Sequence, residues 1–187
     1  MNTVAFELDI SNPVEFPDLN SGTFIFIHRA GKIPPHIGMI SGGIIFEITT
    51  HGPGFEQKGT DLLKSAIKRK IEMLFVELIL PKNTQNSAPE KLKKWVRTHQ
   101  KVSNETSCLY PIRDFIQETF DLSLNTDIFI FDLLPILKNK KLIKSTYQLN
   151  LEEKIKNGKF QFVRYTKKEV QQNIEAVKRV KILASNV

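Results

Sequence analysis

The chain has 187 residues, a formal net charge of +7 and a single cysteine. That length favours one domain with its own hydrophobic core, and a lone cysteine excludes both an internal disulfide framework and a metal site built from several cysteines. Because residues 1–20 carry four acidic side chains and no Lys or Arg, and no apolar run is long enough to cross a bilayer, we expect no secretory signal and no transmembrane segment. A cytoplasmic location is expected, with secretion by a non-classical route left open.

The first half of the chain predicts mostly strands. Alternating residues 4–10 and apolar residues 23–28 each have the pattern of a strand. Two further apolar runs, 36–40 and 44–49, flank the Gly42-Gly43 pair. A pair of glycines between two such runs is typical of a tight β-hairpin.

The remaining elements alternate between helices and strands. The first is a helix capped by Thr60 or Asp61 that ends near Lys70 and turns Leu62, Leu63, Ala66 and Ile67 inward, and a strand at 73–80 follows it. Next come a helix opened by a Ser87 capping box, a helix from Cys108 to about Phe120, and a segment at 128–131 that is either a strand or the start of a buried helix. The last two are a strand at 159–165 and a helix opened by a Thr166 capping box, with Val170, Ile174, Val177, Val180 and Leu183 inward.

These elements predict an α+β domain in which a central antiparallel sheet packs against helices. We assign residues 1–187 to one domain, with a core at about 22–135 and a Lys-rich C-terminal strand and helix at 138–187. The positive charge is compatible with an anionic surface or polymer as a partner. No motif for specific nucleic-acid binding occurs, and the basic runs lack interleaved aromatic residues.

The hairpin brings a histidine and a glutamate into register. If Gly42 and Gly43 are the two central residues of the turn, then His36, Gly38, Glu47 and Thr49 share one face of the two strands. His36 and Glu47 become diagonal neighbours, roughly 7–8 Å apart at the backbone. A carboxylate at that position can fix the tautomer of the imidazole and stabilise its charged form.

The lone cysteine begins a helix. Cys108 follows a polar loop and precedes a segment with apolar residues at helical spacing, in which Pro111 suits the first turn. A thiol at a helix N-terminus lies at the positive end of the helix dipole, which favours the thiolate, and a neighbouring histidine favours it further. Cys108 is therefore a candidate nucleophile.

These residues resemble a known family. His36-Ile-Gly-Met-Ile, a short turn, a strand ending in Phe46-Glu47 and a later cysteine at a helix start are similar to the circularly permuted branch of the NlpC-type papain-like cysteine hydrolases, a superfamily that also includes lecithin:retinol acyltransferase-like proteins. The order His, Glu, Cys is the permuted one, since papain itself has its cysteine first. The chain departs from the family pattern after Cys108, where Leu-Tyr-Pro-Ile-Arg replaces Ser-Glu-Leu-Val.

The resemblance implies a papain-like fold and cleavage of an amide or peptide bond through an acyl-enzyme, without cofactor or metal. It assigns Cys108 as nucleophile, His36 as general base and Glu47 as the residue that orients His36. We expect the substrate cleft to include Gly38, Thr49, His51, Ser107 and Tyr110.

Other interpretations of the same residues stay open. His51 is a rival general base, although the following Gly-Pro-Gly favours a turn. His36, His51 and Glu47 are an alternative metal-ligand set, but without a recognised metal-binding spacing. His28 is expected to be structural or at the rim of the cleft, and His99 to be solvated. The chain is alternatively a lipid acyltransferase or thioesterase of the same fold, or an inactive basic binding module.

Overall fold

The structure, a computed structural model, describes residues 3–12, 15–173 and 175. The strands are β1 (Val4–Asp9), β2 (Thr23–His28), β3 (His36–Ser41), β4 (Ile44–Thr49), β5 (Gly52–Gly54), β6 (Met73–Leu78), β7 (Ile143–Leu149), β8 (Ile155–Lys156) and β9 (Lys159–Val163). The α-helices are α1 (Gly59–Arg69), α2 (Ala88–His99), α3 (Tyr110–Phe120) and α4 (Ile130–Asn139), with a 3-10 turn at Glu152–Lys154.

Six strands form the central sheet in the order β5-β4-β3-β2-β6-β7, and every neighbouring pair is antiparallel. A second, three-stranded sheet has the order β1-β9-β8. The prediction of an α+β class with a central antiparallel sheet is confirmed. The hairpin between β3 and β4 has the predicted register, because Ser41 pairs with Ile44 around Gly42 and Gly43. Both glycines have positive φ, as a two-residue turn of this kind requires.

The inner strands of the central sheet are covered on both faces, which explains why β2, β3 and β6 are apolar almost throughout. On one face, Phe24, Phe26 and Phe75 pack with Ala66 of α1. The opposite face contributes to a larger core that includes residues of α2, α3 and α4. Burial on both sides removes the alternation expected of a half-exposed strand, and such strands have near-continuous apolar sequences. The side chains of this sheet that carry chemistry therefore lie at its ends.

Three local predictions need correction. Helix α1 begins at Gly59 with Lys58 as its N-cap residue and no side-chain cap, so neither Thr60 nor Asp61 caps it. Ile67 is 44% exposed rather than inward. The residue before α2 is Ser87, as predicted, but its hydroxyl donates to the Thr84 carbonyl (3.2 Å) instead of capping the helix. The Ser87 hydroxyl therefore stabilises the preceding turn instead of the helix N-terminus.

The other predicted capping box forms. The Thr166 backbone N–H donates to Glu169 Oε2 (2.7 Å), and the Glu169 N–H donates to Thr166 Oγ1 (3.3 Å), at the start of helical residues 167–173. The ambiguous segment 128–131 leads into a helix, because α4 begins at Ile130. Of the residues predicted to line the inner face of the last helix, Ile174, Val177, Val180 and Leu183 lie outside the described residues.

Candidate active site

His36 and Glu47 meet at one end of the hairpin. The His36 Nε2 atom lies 2.6 Å from Glu47 Oε2, a short hydrogen bond in which the ring N–H donates to the carboxylate. The two side chains are 32% and 16% exposed. The paired rungs of the hairpin run from Ser41–Ile44 to Met39–Phe46, so the contact forms just beyond them. Because Glu47 occupies Nε2, the ring nitrogen left to exchange a proton with another group is Nδ1.

The contact depends on a glycine beneath it. A Cβ atom at Gly38 would lie 2.3 Å from Phe26 Cζ and 3.1 Å from Glu47 Cβ. Real side chains do not approach so closely, so a residue larger than glycine would displace the Phe26 ring or Glu47. The Phe26 ring in turn packs edge-on against the His36 ring, with 6.1 Å between centroids. Gly38 therefore lets Phe26 and Glu47 hold the imidazole from two sides.

Cys108 reaches the hairpin through a tethered loop. The Val102 backbone N–H donates to the Thr49 carbonyl (2.9 Å), which ties the start of the loop to the end of β4. The loop then turns at Ser107, whose carbonyl accepts from Tyr110 N–H (3.1 Å) and whose hydroxyl oxygen accepts from Leu109 N–H (3.2 Å). Cys108 stands at this turn, just before α3, as a free and half-buried thiol.

The thiol and the carboxylate both act on the His36 ring. Burial alone would lower the pKa of His36, but hydrogen bonding to Cys108 and Glu47, together with their charges, raises the pKa from 6.5 to about 10. The ring therefore keeps its proton at neutral pH, and an aligned histidine is what a cysteine nucleophile requires. The structure thus brings together all three residues that the sequence singled out as catalytic.

His28 lies next to this group on β2. Its ring packs edge-on against that of His36, with centroids 6.4 Å apart, and His28 pairs directly with His36 in the sheet. Burial, followed by the charges of His36 and Arg29, lowers the pKa of His28. The neighbouring ring therefore stays neutral while His36 carries the proton, which avoids placing two positive charges side by side.

A cavity of about 450 Å³ opens next to Cys108. Its wall is formed by the loop at residues 102–110, the segment 127–130, residues 34, 35 and 37 at the start of β3, and Tyr165 with residues 167, 170 and 171. Most of its buried lining is apolar, whereas the exposed rim carries Asp127 and Lys167, paired at 2.6 Å. The volume and the mainly apolar lining are those of a small-molecule site with polar groups at its mouth.

The predicted cleft residues separate into two groups. Ser107 and Tyr110 line the cavity together with Cys108. Gly38, Thr49 and His51 are not part of its lining. A turn explains the position of His51: the Thr49 hydroxyl donates to the Gly52 carbonyl (3.2 Å) and accepts from the His51 N–H (3.1 Å), leaving the His51 side chain exposed.

His99 does not match the expectation of a solvated residue. Its Nε2 atom lies 2.6 Å from Asp114 Oδ2, and the two side chains are only 16% and 14% exposed. Arg113 also contacts Asp114 (2.6 Å) and donates to the Thr126 carbonyl (2.7 Å). These groups join α2 to α3 beside the Tyr110 ring. No local pattern indicates this pairing, because the two partners lie on different helices.

Tyr165 was also missed by the sequence reasoning, which placed it at the end of a strand. In the structure it follows β9 and lines the cavity with Cys108.

Within the described residues, no cluster of three or more His, Cys, Asp or Glu side chains is arranged to hold a metal ion. Over the same part of the chain, no helix combines the length and apolar character that a membrane span needs.

Comparison of the chain with protein-family models, with curated proteins and with solved structures finds no match.

Proposed function

We propose that this protein is a cysteine hydrolase that cleaves an amide bond through an acyl-enzyme, with Cys108 as nucleophile, His36 as general base and Glu47 as the residue that orients His36. The observation that carries the proposal is the meeting of three side chains from separate elements. The His36 ring donates a hydrogen bond to Glu47 of β4, and this carboxylate and the Cys108 thiol before α3 both raise the pKa of the ring. A nucleophile, an aligned base and a third group that orients the base are the requirements of this chemistry.

The reaction follows from the two ring nitrogens. Nδ1 takes the thiol proton while the Nε2–H stays on the ring and donates to Glu47, and the thiolate attacks the carbonyl carbon of the substrate. The C–N bond then breaks as His36 returns its proton to the leaving amine, which leaves a thioester on Cys108. Water, deprotonated by the now neutral His36, attacks the thioester and releases the acid and the free thiol.

The proposal extends the resemblance to the circularly permuted NlpC-type papain-like hydrolases. It is supported by the position of the histidine at the start of one hairpin strand, the glutamate on the next and the cysteine just before a helix. The antiparallel sheet packed on helices is compatible with that fold class.

A second candidate activity uses the same three residues. The cavity beside Cys108 presents apolar side chains that include Val102, Leu109 and Ile128. Such a surface suits a hydrocarbon acyl group at least as well as a polar peptide. We therefore also consider a thioesterase or acyltransferase that forms the same acyl-enzyme from an acyl thioester or a lipid ester.

The test compares three substrate classes on the wild-type protein and on Cys108→Ala. Release of amine from N-acyl dipeptide amides, of thiol from acyl thioesters, and of fatty acid from phospholipid vesicles would each be measured, with intact-protein mass used to detect an acyl adduct. The proposal expects amide cleavage and an adduct that Cys108→Ala abolishes while its circular dichroism spectrum is unchanged. Cleavage of thioesters or lipids without amides would select the second candidate. Binding of anionic polymers by a protein that forms no adduct would instead indicate an inactive basic module.

A further inference from the structure

Tyr165 is the most deeply buried polar side chain in the wall of the cavity. Only 7% of the residue is exposed. Its ring packs edge-on against those of Phe129 and Phe131, with centroids 5.2 and 5.0 Å away. This aromatic contact holds the ring in the part of the cavity wall that follows β9, and the loop that carries Cys108 lines the same cavity.

The hydroxyl of Tyr165 has no hydrogen-bond partner among the described residues. In the described part of the chain, the fully buried side-chain polar atom without a partner is the Thr119 hydroxyl. The Tyr165 hydroxyl is therefore not fully enclosed. A buried tyrosine normally places its O–H on an acceptor. An unpaired O–H on a cavity wall is therefore a donor available to a bound molecule.

The phenol keeps its proton. Burial, followed by the charges of Cys108 and Asp132, raises the pKa of Tyr165. Tyr165 and Cys108 both line the cavity. A neutral O–H in a partly desolvated site donates a stronger hydrogen bond than it would in water.

The other polar side chains of the cavity differ from Tyr165 in exposure or in pairing. Lys167 and Asp127 bind each other at the exposed rim. The Ser107 hydroxyl oxygen accepts from the Leu109 N–H, and Ser107 is exposed. Among the described lining residues, Tyr165 is thus the one polar side chain that is nine-tenths buried.

We propose that Tyr165 is a catalytic residue, whose O–H donates to the substrate carbonyl oxygen and stabilises the negative charge that develops there when Cys108 attacks. This inference rests on the proposed cysteine-hydrolase function. In the step concerned, the sulfur–carbon bond forms and the carbonyl π electrons move to oxygen, while Tyr165 keeps its proton as a donor. When the intermediate collapses, the carbonyl re-forms and the bond to the leaving group breaks. Loss of one such donor slows acyl transfer by about 10²–10³-fold.

Tyr165→Phe is the decisive variant, because it removes the hydroxyl and keeps the ring that packs on Phe129 and Phe131. Two reactions at the same sulfur would be compared. Acylation by p-nitrophenyl butyrate develops negative charge on a carbonyl oxygen. Its rate is measured from the release of nitrophenolate and from the intact mass of the protein. Alkylation by iodoacetamide displaces iodide from a CH₂ group and develops no such charge. Tyr147→Phe is the matched control, since its hydroxyl contacts Glu77 and it does not line the cavity.

We expect the acylation rate of Tyr165→Phe to fall by about 10²-fold. Its alkylation rate should stay within about twofold of the wild-type rate, and its melting temperature within a few degrees of the wild-type value. Tyr147→Phe should acylate at the wild-type rate. Normal acylation of Tyr165→Phe would overturn the role of Tyr165 and leave the hydrolase proposal standing. Equal slowing of acylation and alkylation would also overturn that role, because it would indicate a disturbed thiol. Failure of the wild-type protein to form any Cys108 adduct would overturn both proposals together.

Discussion

His36 and Glu47 make a 2.6 Å hydrogen bond from adjacent strands, at the point where the paired rungs of their hairpin have ended at Met39 and Phe46. The hairpin fixes which residues share a face, and two long side chains can span the backbone separation of a diagonal pair. The same end receives Cys108, because the loop before α3 is tied to the Thr49 carbonyl. The geometry of the candidate site thus depends on one two-residue turn and one loop tether.

Replacing Glu47 with Gln should lower the pKa of His36. The carboxylate contributes both a hydrogen bond and a negative charge that favour the imidazolium, and the neutral amide supplies neither charge nor a strong acceptor. NMR titration of the His36 ring protons would measure the shift. Glu105→Gln is the control, because Glu105 is an exposed residue of the cavity loop. A His36 pKa that falls equally in both variants would contradict a specific role for Glu47.

The pH dependence of stability should carry the signature of His36. Its folded-state pKa is raised from 6.5 to about 10, so the folded state holds the proton more tightly than the unfolded state. The resulting stabilisation is fully present below pH 6.5 and is lost as the pH rises through about 10. The free energy of unfolding in urea, measured for the wild type and for His36→Asn, should therefore differ most at low pH and converge towards pH 10. A difference that does not change with pH, or that grows, would contradict this account.

Gly38→Ala should destabilise the protein by about 1–3 kcal/mol, since the added methyl group overlaps Phe26 and Glu47. Urea unfolding gives the free energy, and iodoacetamide alkylation of Cys108 reports whether the site is displaced. Phe26→Leu in the same chain should recover part of the loss by making room for the methyl group. If the loss of unfolding free energy in the double variant equals the sum of the losses in the two single variants, the contact between Gly38 and Phe26 does not constrain the site.

Asp114→Asn should weaken the junction of α2 and α3 by about 1–3 kcal/mol, because the largely buried His99 and Arg113 both lose a charged acceptor. The matched control is Glu118→Gln on the same helix, since Glu118 forms more exposed ion pairs with Lys91 and Lys94, and the glutamine keeps an oxygen that can accept from the Trp95 ring N–H. That change should cost less than about 1 kcal/mol. Urea unfolding of the two variants tests the contrast, and equal losses would mean that burial of the Asp114 cluster adds nothing.

Local patterns in the sequence were sufficient for part of the fold. Alternation and the Gly42-Gly43 turn predicted β1 to β4, and the register of that turn placed His36 and Glu47 on one face. Strand β7 was not predicted, because its residues Ile143–Leu149 mix polar and apolar side chains at the edge of the sheet. Edge strands bury less surface, so their hydrophobic pattern is weaker.

The contacts made between distant segments could not be predicted in the same way. Nothing in the residues around Asp114 indicates His99 as its partner, and nothing near Tyr165 indicates that it lines the same cavity as Cys108. Such contacts are set by how helices and sheets pack together. Cys108 and His36 were connected in advance only through the resemblance to a known family, which supplied the long-range relationship that periodicity lacks.

The central claim is that Cys108 is an activated nucleophile held next to His36. The most direct measurement is the second-order rate of iodoacetamide alkylation at pH 6, compared among the wild type, His36→Ala and free cysteine, with the labelled residue located by mass spectrometry. An activated pair predicts a wild-type rate at least about tenfold above that of free cysteine, lost in His36→Ala. A wild-type thiol that reacts no faster than free cysteine, or whose rate is unchanged by removing His36, would contradict the account.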